Sequence, residues 1–282
     1  MRLELLKVGH CSHPEAVVVR GGTWRARSFP AIVGILHHPQ LGYILFDTGY
    51  ARRFHEATHA FPERLYRWLT PMHLPQTEEL PYLLAQRGIA TEDIQYIFIS
   101  HFHADHIAGL LDFPKARFIC SESALYAATC QKRVQGLIKG NLPALLPADM
   151  VQRITFIEEC PTTASGLAQH AFAKGYDIFA DGSCLAIALP GHAQGQFGLL
   201  CSQEDSRSFP QCFFVADACW TRASFKDGSK PLAVTNIIMS STAQYHRTIE
   251  ALAQLHAMQP DLFIIPSHCQ DTYNEFSHAQ KI

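Results

Sequence analysis

Between two apolar runs, Tyr96-Ile97-Phe98-Ile99 and Ile107-Ala108-Gly109-Leu110-Leu111, lies Ser100-His101-Phe102-His103-Ala104-Asp105-His106. The first run reads as a buried strand and the second as the first turns of a helix. Three imidazoles and a carboxylate therefore share one strand-to-helix turn. Neutral imidazole and carboxylate are the ligand types that divalent zinc prefers, along with manganese and ferrous iron. On an extended loop, His101 and His103 project the same way and can share one ion. Asp105 and His106, where the chain turns into the helix, can face a second ion close by. Four ligand-type residues in six positions at a strand end point to a metal rather than to a merely polar loop.

The rest of the chain has to provide a rigid frame for that turn. Its 282 residues are 48% hydrophobic and 17% charged, which suits one α/β unit with a sizeable core. A formal net charge of −2 gives no general affinity for nucleic acid or anionic membrane. Glu4 and Lys7 interrupt the N-terminal apolar stretch, so no signal peptide is expected. No segment approaches the roughly 18 apolar residues of a membrane span. Nine scattered cysteines without a Cys-x-x-Cys pair argue against a disulfide framework or a zinc ribbon, and fit reduced thiols in a cytoplasmic protein. Most of the sixteen histidines, among them His37, His38, His55, His59 and His73, are expected outside the site.

Residues 2–9, 15–19, 31–37 and 41–46 read as antiparallel strands, with turns at Gly21-Gly22 and Pro39–Gly42. The last ends in Asp47-Thr48-Gly49, an acid that could orient a histidine if the fold brings them together. Residues 50–76 are rich in aromatic and basic side chains, with a helix expected at Pro62–Leu69. They and residues 121–182 are the expected inserts covering the site within a single domain spanning 1–282. A helix is expected at 77–88, strands at 116–120 and 151–157, a loop region at 160–182, and strands at 185–189, 195–201, 212–216 and 262–265. The spacing predicts a helix over Thr242–Met258, with Ile249, Leu252 and Leu255 on one face and Pro260 beyond its end.

Three of the later strands run into Pro190-Gly191-His192, Asp217 and Pro266-Ser267-His268. The halves echo each other: 54 positions separate Asp47 from His101, and 51 separate Asp217 from His268. This suggests two β/α halves packed sheet to sheet, with loops from both converging on one edge. A two-metal site needs about three protein ligands per ion plus a bridge. The count closes with His101, His103 and His192 for one ion, Asp105, His106 and His268 for the other, and Asp217 between them.

The order Asp47-Thr48-Gly49, His101-Phe102-His103-Ala104-Asp105-His106, Pro190-Gly191-His192, Asp217 and His268 resembles the five-motif pattern of the metallo-β-lactamase-fold hydrolases. The resemblance covers nearly the whole chain. It implies a four-layer αββα sandwich of the α/β (α+β) class, the ligand assignment just given, and a supporting role for Asp47 behind the ligands. Within that superfamily the chain looks most like the dinuclear zinc N-acyl-homoserine lactonases. The likeness lies in Pro190–Gly195, in Ala216-Asp217-Ala218-Cys219-Trp220-Thr221 followed by Phe225, and in the long insert after Asp47-Thr48-Gly49. Those lactonases usually carry a tyrosine three residues after the bridging aspartate, where its hydroxyl contacts the substrate carbonyl. Here that position is Trp220, whose indole can donate one hydrogen bond and supplies no phenolic proton. A hydrophobic pocket wall is the favoured reading for Trp220, with Tyr50 and Tyr245 as candidate substitutes.

The expected activity is metal-dependent hydrolysis. Two divalent ions, with Zn²⁺ the first choice and Fe²⁺ or Mn²⁺ as alternatives, acidify a bridging water that opens a lactone or related ester. In this scheme Asp217 holds the bridge and Asp105 steers a proton to the leaving group. A same-fold hydrolase of thioesters, β-lactams or phosphodiesters is the alternative, and a metal-containing effector with little turnover is a second. A flavin-linked di-iron oxygen reductase would more typically have Glu where His103 stands. The expected partner is a small molecule, with neither nucleic acid nor membrane, and homodimerisation is left open.

Overall fold

Alternation along the strands decides the layers. In the computed structural model, which describes residues 1–203 and 209–279, β1 (Arg2–Pro14), β2 (Ala26–His38) and β3 (Gly42–Phe46) form an antiparallel meander. To it are added β4 (Met72–His73), β5 (Ile94–Phe98), β6 (Arg117–Cys120) and β7 (Ile154–Phe156), giving a seven-stranded sheet ordered β4-β1-β2-β3-β5-β6-β7. Strands β3, β5, β6 and β7 run parallel. The second sheet contains β8 (Thr162–Ala164), β9 (Lys174–Asp177), β10 (Cys184–Ala188), β11 (Phe197–Ser202), β12 (Gln211–Ala216) and β13 (Phe263–Pro266), in the order β13-β12-β11-β10-β9-β8. Its β12–β13 pair is parallel and the others are antiparallel.

Period-two patterning sends one set of side chains from each sheet into a shared middle layer. Leu3, Leu5, Ile44, Phe46 and Phe98 from the first sheet meet Ala186, Leu199, Phe214 and Ile265 from the second. The alternate residues Leu6, Val8, Leu45 and Ile97 face outward into a cluster with Leu80, Leu84 and Ile107. On the far side, Leu185, Ile187, Phe213 and Val215 pack against Ile249, Leu252 and Leu255. Two mixed sheets with helices outside each make an α/β sandwich. At full burial each of these aliphatic side chains contributes about 1.5–3 kcal/mol.

One residue in the middle layer sets how closely the sheets approach. Gly34 in β2 lies over the ring of Phe214 in β12, and a Cβ on Gly34 would fall 2.6 Å from Phe214 Cζ. Phe214 also stacks on Phe46 with ring centroids 4.6 Å apart. The ring of one sheet thus occupies the space where the other lacks a side chain.

The helix Thr242–Met258 has the predicted bounds, with Ser241 Oγ capping the Gln244 amide. Four expectations need correction. Residues 15–19 are not a strand: Glu15–Val18 is a helical turn, and Glu15 reaches out to Thr23 and Arg27. The helix expected over 77–88 is shorter, Leu80–Ala85, because Gln76–Glu78 is a separate 3₁₀ turn. The helical turn after the histidines begins earlier, at Ala104, and ends at Ile107. Residues 160–182 contain the antiparallel pair β8 and β9, which extends the second sheet. Short polar strands at a sheet edge have no apolar period by which to be read. Among the described residues, no helix is long and apolar enough to cross a membrane.

Candidate metal centre

Because β3 and β5 are parallel, their carboxyl ends deliver Asp47 and Ser100-His101 to the same edge. Strands β10, β12 and β13 likewise point their carboxyl ends at that edge, followed by His192, Asp217 and His268. Main-chain hydrogen bonds stitch the two sheets together there, from Phe197 N to Ser100 O at 3.1 Å and from Ile32 N to Ser267 O at 2.9 Å. The Pro190-Gly191 pair positions His192 by close approach to the long helix. A Cβ on Gly191 would fall 2.1 Å from Tyr245 N, and its φ of 133° suits glycine alone. Thr248 Oγ1 donates to Pro190 O at 2.7 Å, and Ser240 Oγ donates to Gly191 O at 2.9 Å. Asp47 and Ala216 hold left-handed φ values of 59° and 48°, so backbone strain accompanies the presentation of both aspartates.

The seven expected ligands come together in two groups. Donor atoms of His101, His103, His192 and Asp217 lie within 4.8 Å of one another, as do those of Asp105, His106 and His268. Asp217 reaches both. Its Oδ2 is 3.3 Å from His192 Nε2, while Oδ1 is 3.3 Å from His106 Nε2 and 3.1 Å from His268 Nε2. Asp105 Oδ2 stands 3.3 Å from His268 Nε2. Six of the seven are buried and Asp105 is partly exposed.

The outward-facing ring nitrogens decide which atoms are left for an ion. Ser100 Oγ donates its single proton to Asp47 Oδ2 at 2.8 Å, so at 3.0 Å it can only accept from His101 Nδ1. His106 Nδ1 donates to the same Asp47 oxygen at 2.7 Å. His268 Nδ1 donates to the Pro30 carbonyl at 2.7 Å, and His103 hydrogen-bonds the Lys139 backbone. Asp47 Oδ1 accepts from Ser100 N at 2.8 Å. Lone pairs are thereby left inward on Nε2 of His101, His106 and His268. His103 Nδ1 faces His192 Nε2 at 3.0 Å.

These donors fit divalent metal. His101 Nε2, His106 Nε2 and Asp217 Oδ1 are buried without a hydrogen-bond partner. Each such orphan costs about 1–3 kcal/mol, and an ion in each group would between them satisfy all three. The charge pattern agrees. Burial, reinforced by neighbouring imidazoles, holds His101 well below the usual histidine range, and burial does the same for His192 and lowers His103. Burial also opposes protonation of His106 and His268, but there the Asp217 and Asp105 carboxylates, with Asp47 for His106, outweigh it and raise both. Burial pushes Asp217 up, yet the surrounding imidazoles, His268 first, hold it well below the usual carboxylate range.

Two cavities flank the centre. One of about 130 Å³ lies beside His103 and His192 and is walled by Ala124, Ala127, Gln131 and Lys139. Lys139 Nζ ties this wall to the carbonyls of Ile237 and Met239 at 2.9 and 2.7 Å. The other, about 410 Å³, opens beside His268 between Phe29 and Arg222. Tyr50 and Tyr245 are buried, Tyr50 against Phe54 with its hydroxyl at the Cys11 thiol, and Tyr245 beside His192 with its hydroxyl unpartnered. Trp220 turns its indole Nε1 to Asp217 Oδ2 at 3.0 Å. None of these three lines either cavity. The Pro30 and Lys139 carbonyls were not foreseen, since main-chain partners carry no signature in residue type, and the Ser100 hydroxyl was not foreseen as a link between Asp47 and His101.

Residues 36–124 match the family model described as the metallo-beta-lactamase superfamily. Among curated relatives, the N-acyl homoserine lactonase AiiB of Agrobacterium fabrum is 25% identical over 199 residues, covering 69% of this chain and 63% of that protein. The chain thus spans a little under two thirds of that lactonase. A probable metallo-hydrolase of Mycobacterium tuberculosis is 23% identical over 241 residues, covering 82% of this chain and 72% of its own length. Among solved structures, a mutant of B. thuringiensis AiiA with N-decanoyl-L-homoserine bound at the active site superposes with a TM-score of 0.71. It is 17% identical, with 97% of this chain and 95% of that one covered.

Proposed function

We propose that this chain is a dinuclear metal-dependent hydrolase that opens a lactone or a related ester. The observation that carries the reading is the division of one carboxylate: Asp217 presents Oδ2 to one histidine group and Oδ1 to the other. His101, His103 and His192 would hold one ion, Asp105, His106 and His268 the second, and Asp217 both. Zinc suits this nitrogen-rich set best. Bound divalent ions supply Lewis acidity, acidifying water and polarising a carbonyl at neutral pH.

The chain's own residues do the rest. The Asp47 and Ser100 contacts hold His101 and His106 in the tautomer and orientation that leave Nε2 free. Burial keeps His101 and His192 neutral and therefore competent as ligands. Asp105 is the partly exposed carboxylate of the group, so it is the one placed to accept a proton and pass it to a leaving alkoxide. The similarity to N-acyl homoserine lactonases supports a lactone as substrate.

The test is metal analysis of the purified protein together with a panel of acyl-homoserine lactones, simple lactones, a thioester, a chromogenic β-lactam and a phosphodiester. About two metal equivalents with preferred lactone opening support the reading. Turnover of another panel member alone moves the substrate class. Fewer than one equivalent after reconstitution, without turnover, overturns the reading.

A further inference from the structure

Trp220 follows Asp217 by three positions and packs, partly buried, against both outer apolar clusters. Its ring stands edge-on to His192, 5.9 Å between centroids at 82°. Its Nε1 is 3.0 Å from Asp217 Oδ2. The two oxygens of Asp217 therefore differ. Oδ2 receives a permanent proton donor on the His192 side, whereas Oδ1 faces only the His106 and His268 imidazoles, whose Nε2 protons an entering ion would displace.

A carboxylate rotates readily about its terminal torsion. Left free, Asp217 could turn both oxygens toward one histidine group and leave the other short of a ligand. An indole N–H only donates and does not ionise in the working pH range. The contact therefore keeps one polarity whatever else occupies the site.

We propose that Trp220 is a positioning residue for Asp217, its N–H pinning Oδ2 on the His192 side so that each oxygen serves one histidine group. This rests on the dinuclear reading above, and it gives the indole a polar task beyond that of an apolar wall.

The test measures stepwise zinc affinity by chelator competition in wild-type protein and in Trp220→Phe and Trp220→Gln. Trp220→Phe should keep one equivalent and lose about 10–100-fold in affinity for the other, the scale typical of removing a group that orients a ligand. Trp220→Gln, which keeps an N–H donor, should recover most of that loss. A second readout does not depend on those variants folding. Trp24 and Trp68 are 74% and 62% exposed, so in Trp24→Phe/Trp68→Phe the remaining emission comes from Trp220. That emission should change as zinc is added and saturate at two equivalents. Wild-type affinities for both equivalents in Trp220→Phe, or emission indifferent to zinc in a protein that binds two, overturn the proposal while leaving the hydrolase reading standing. Wild-type protein that takes up no zinc removes the basis of both.

Discussion

Asp47 Oδ2 lies 2.7 Å from His106 Nδ1, and the same carboxylate takes both the amide and the hydroxyl of Ser100. One buried acid thus orients two imidazoles, His106 directly and His101 through the Ser100 hydroxyl. Asp47→Ala is expected to weaken metal binding by about 10–100-fold. It should also destabilise the metal-free protein by about 1–3 kcal/mol for each donor left unpaired. Chelator competition and denaturant unfolding check the two parts separately, and wild-type affinity in the variant would refute the role.

Asp217→Ala removes the carboxylate shared by the two groups. Bound metal should fall below two equivalents and turnover by at least about 10²-fold, the scale for losing one preorganised polar group at a reacting centre. Metal analysis and steady-state kinetics on one preparation decide it. Full activity with two equivalents retained would exclude the bridge.

Proton release should differ between the two groups. In metal-free protein His106 and His268 are raised above 6.5, whereas His101, His103 and His192 are lowered below it. At pH 7 an ion entering the Asp105/His106/His268 group must displace protons, and one entering the other group need not. Calorimetry in buffers of different ionisation enthalpy should show more protons released with one equivalent than with the other.

The same shifts set the stability of the metal-free protein. The raised pair contributes stability that is present below 6.5 and lost as pH climbs through their folded values. The lowered three contribute stability that is present above 6.5 and lost as pH falls through theirs. These five groups together should place maximal stability near 6.5, and a stability profile rising steadily through that value would contradict the assignment.

Zinc at 1,000 times its dissociation constant should stabilise the protein by about 4 kcal/mol per site. Chelation should accordingly lower Tm and readdition restore it, as thermal unfolding would show. A Tm blind to chelator would mean that no ion is held by the folded state.

Much of the site was legible because ligand chemistry coincides with strand ends. His101, His192, Asp217 and His268 each follow an apolar run, and in a sheet sandwich such ends share an edge. The helix Thr242–Met258 was legible because Ser241 caps it, Pro260 follows it and its apolar period is clean. Residues 15–19 were misread since Val17, Val18 and Val19 favour strands, whereas the turn is held by a backbone bond from Val19 N to Glu15 O and by contacts of the Glu15 carboxylate. The pairing of Trp220 with Asp217 was not legible either. It depends on which way an indole turns, and packing decides that.

Gly34 has a consequence for how defects in this protein would be read. His101, His103, Asp105 and His106 ride on one sheet, and His192, Asp217 and His268 on the other, so the gap between the sheets is also the caliper of the centre. The Phe214 ring closes that caliper against a missing methyl group. Gly34→Ala, costing about 1–3 kcal/mol through overpacking, would spread the jaws and separate the two sets of ligands. Scored by turnover alone, a change that touches no ligand would pass for an active-site mutation.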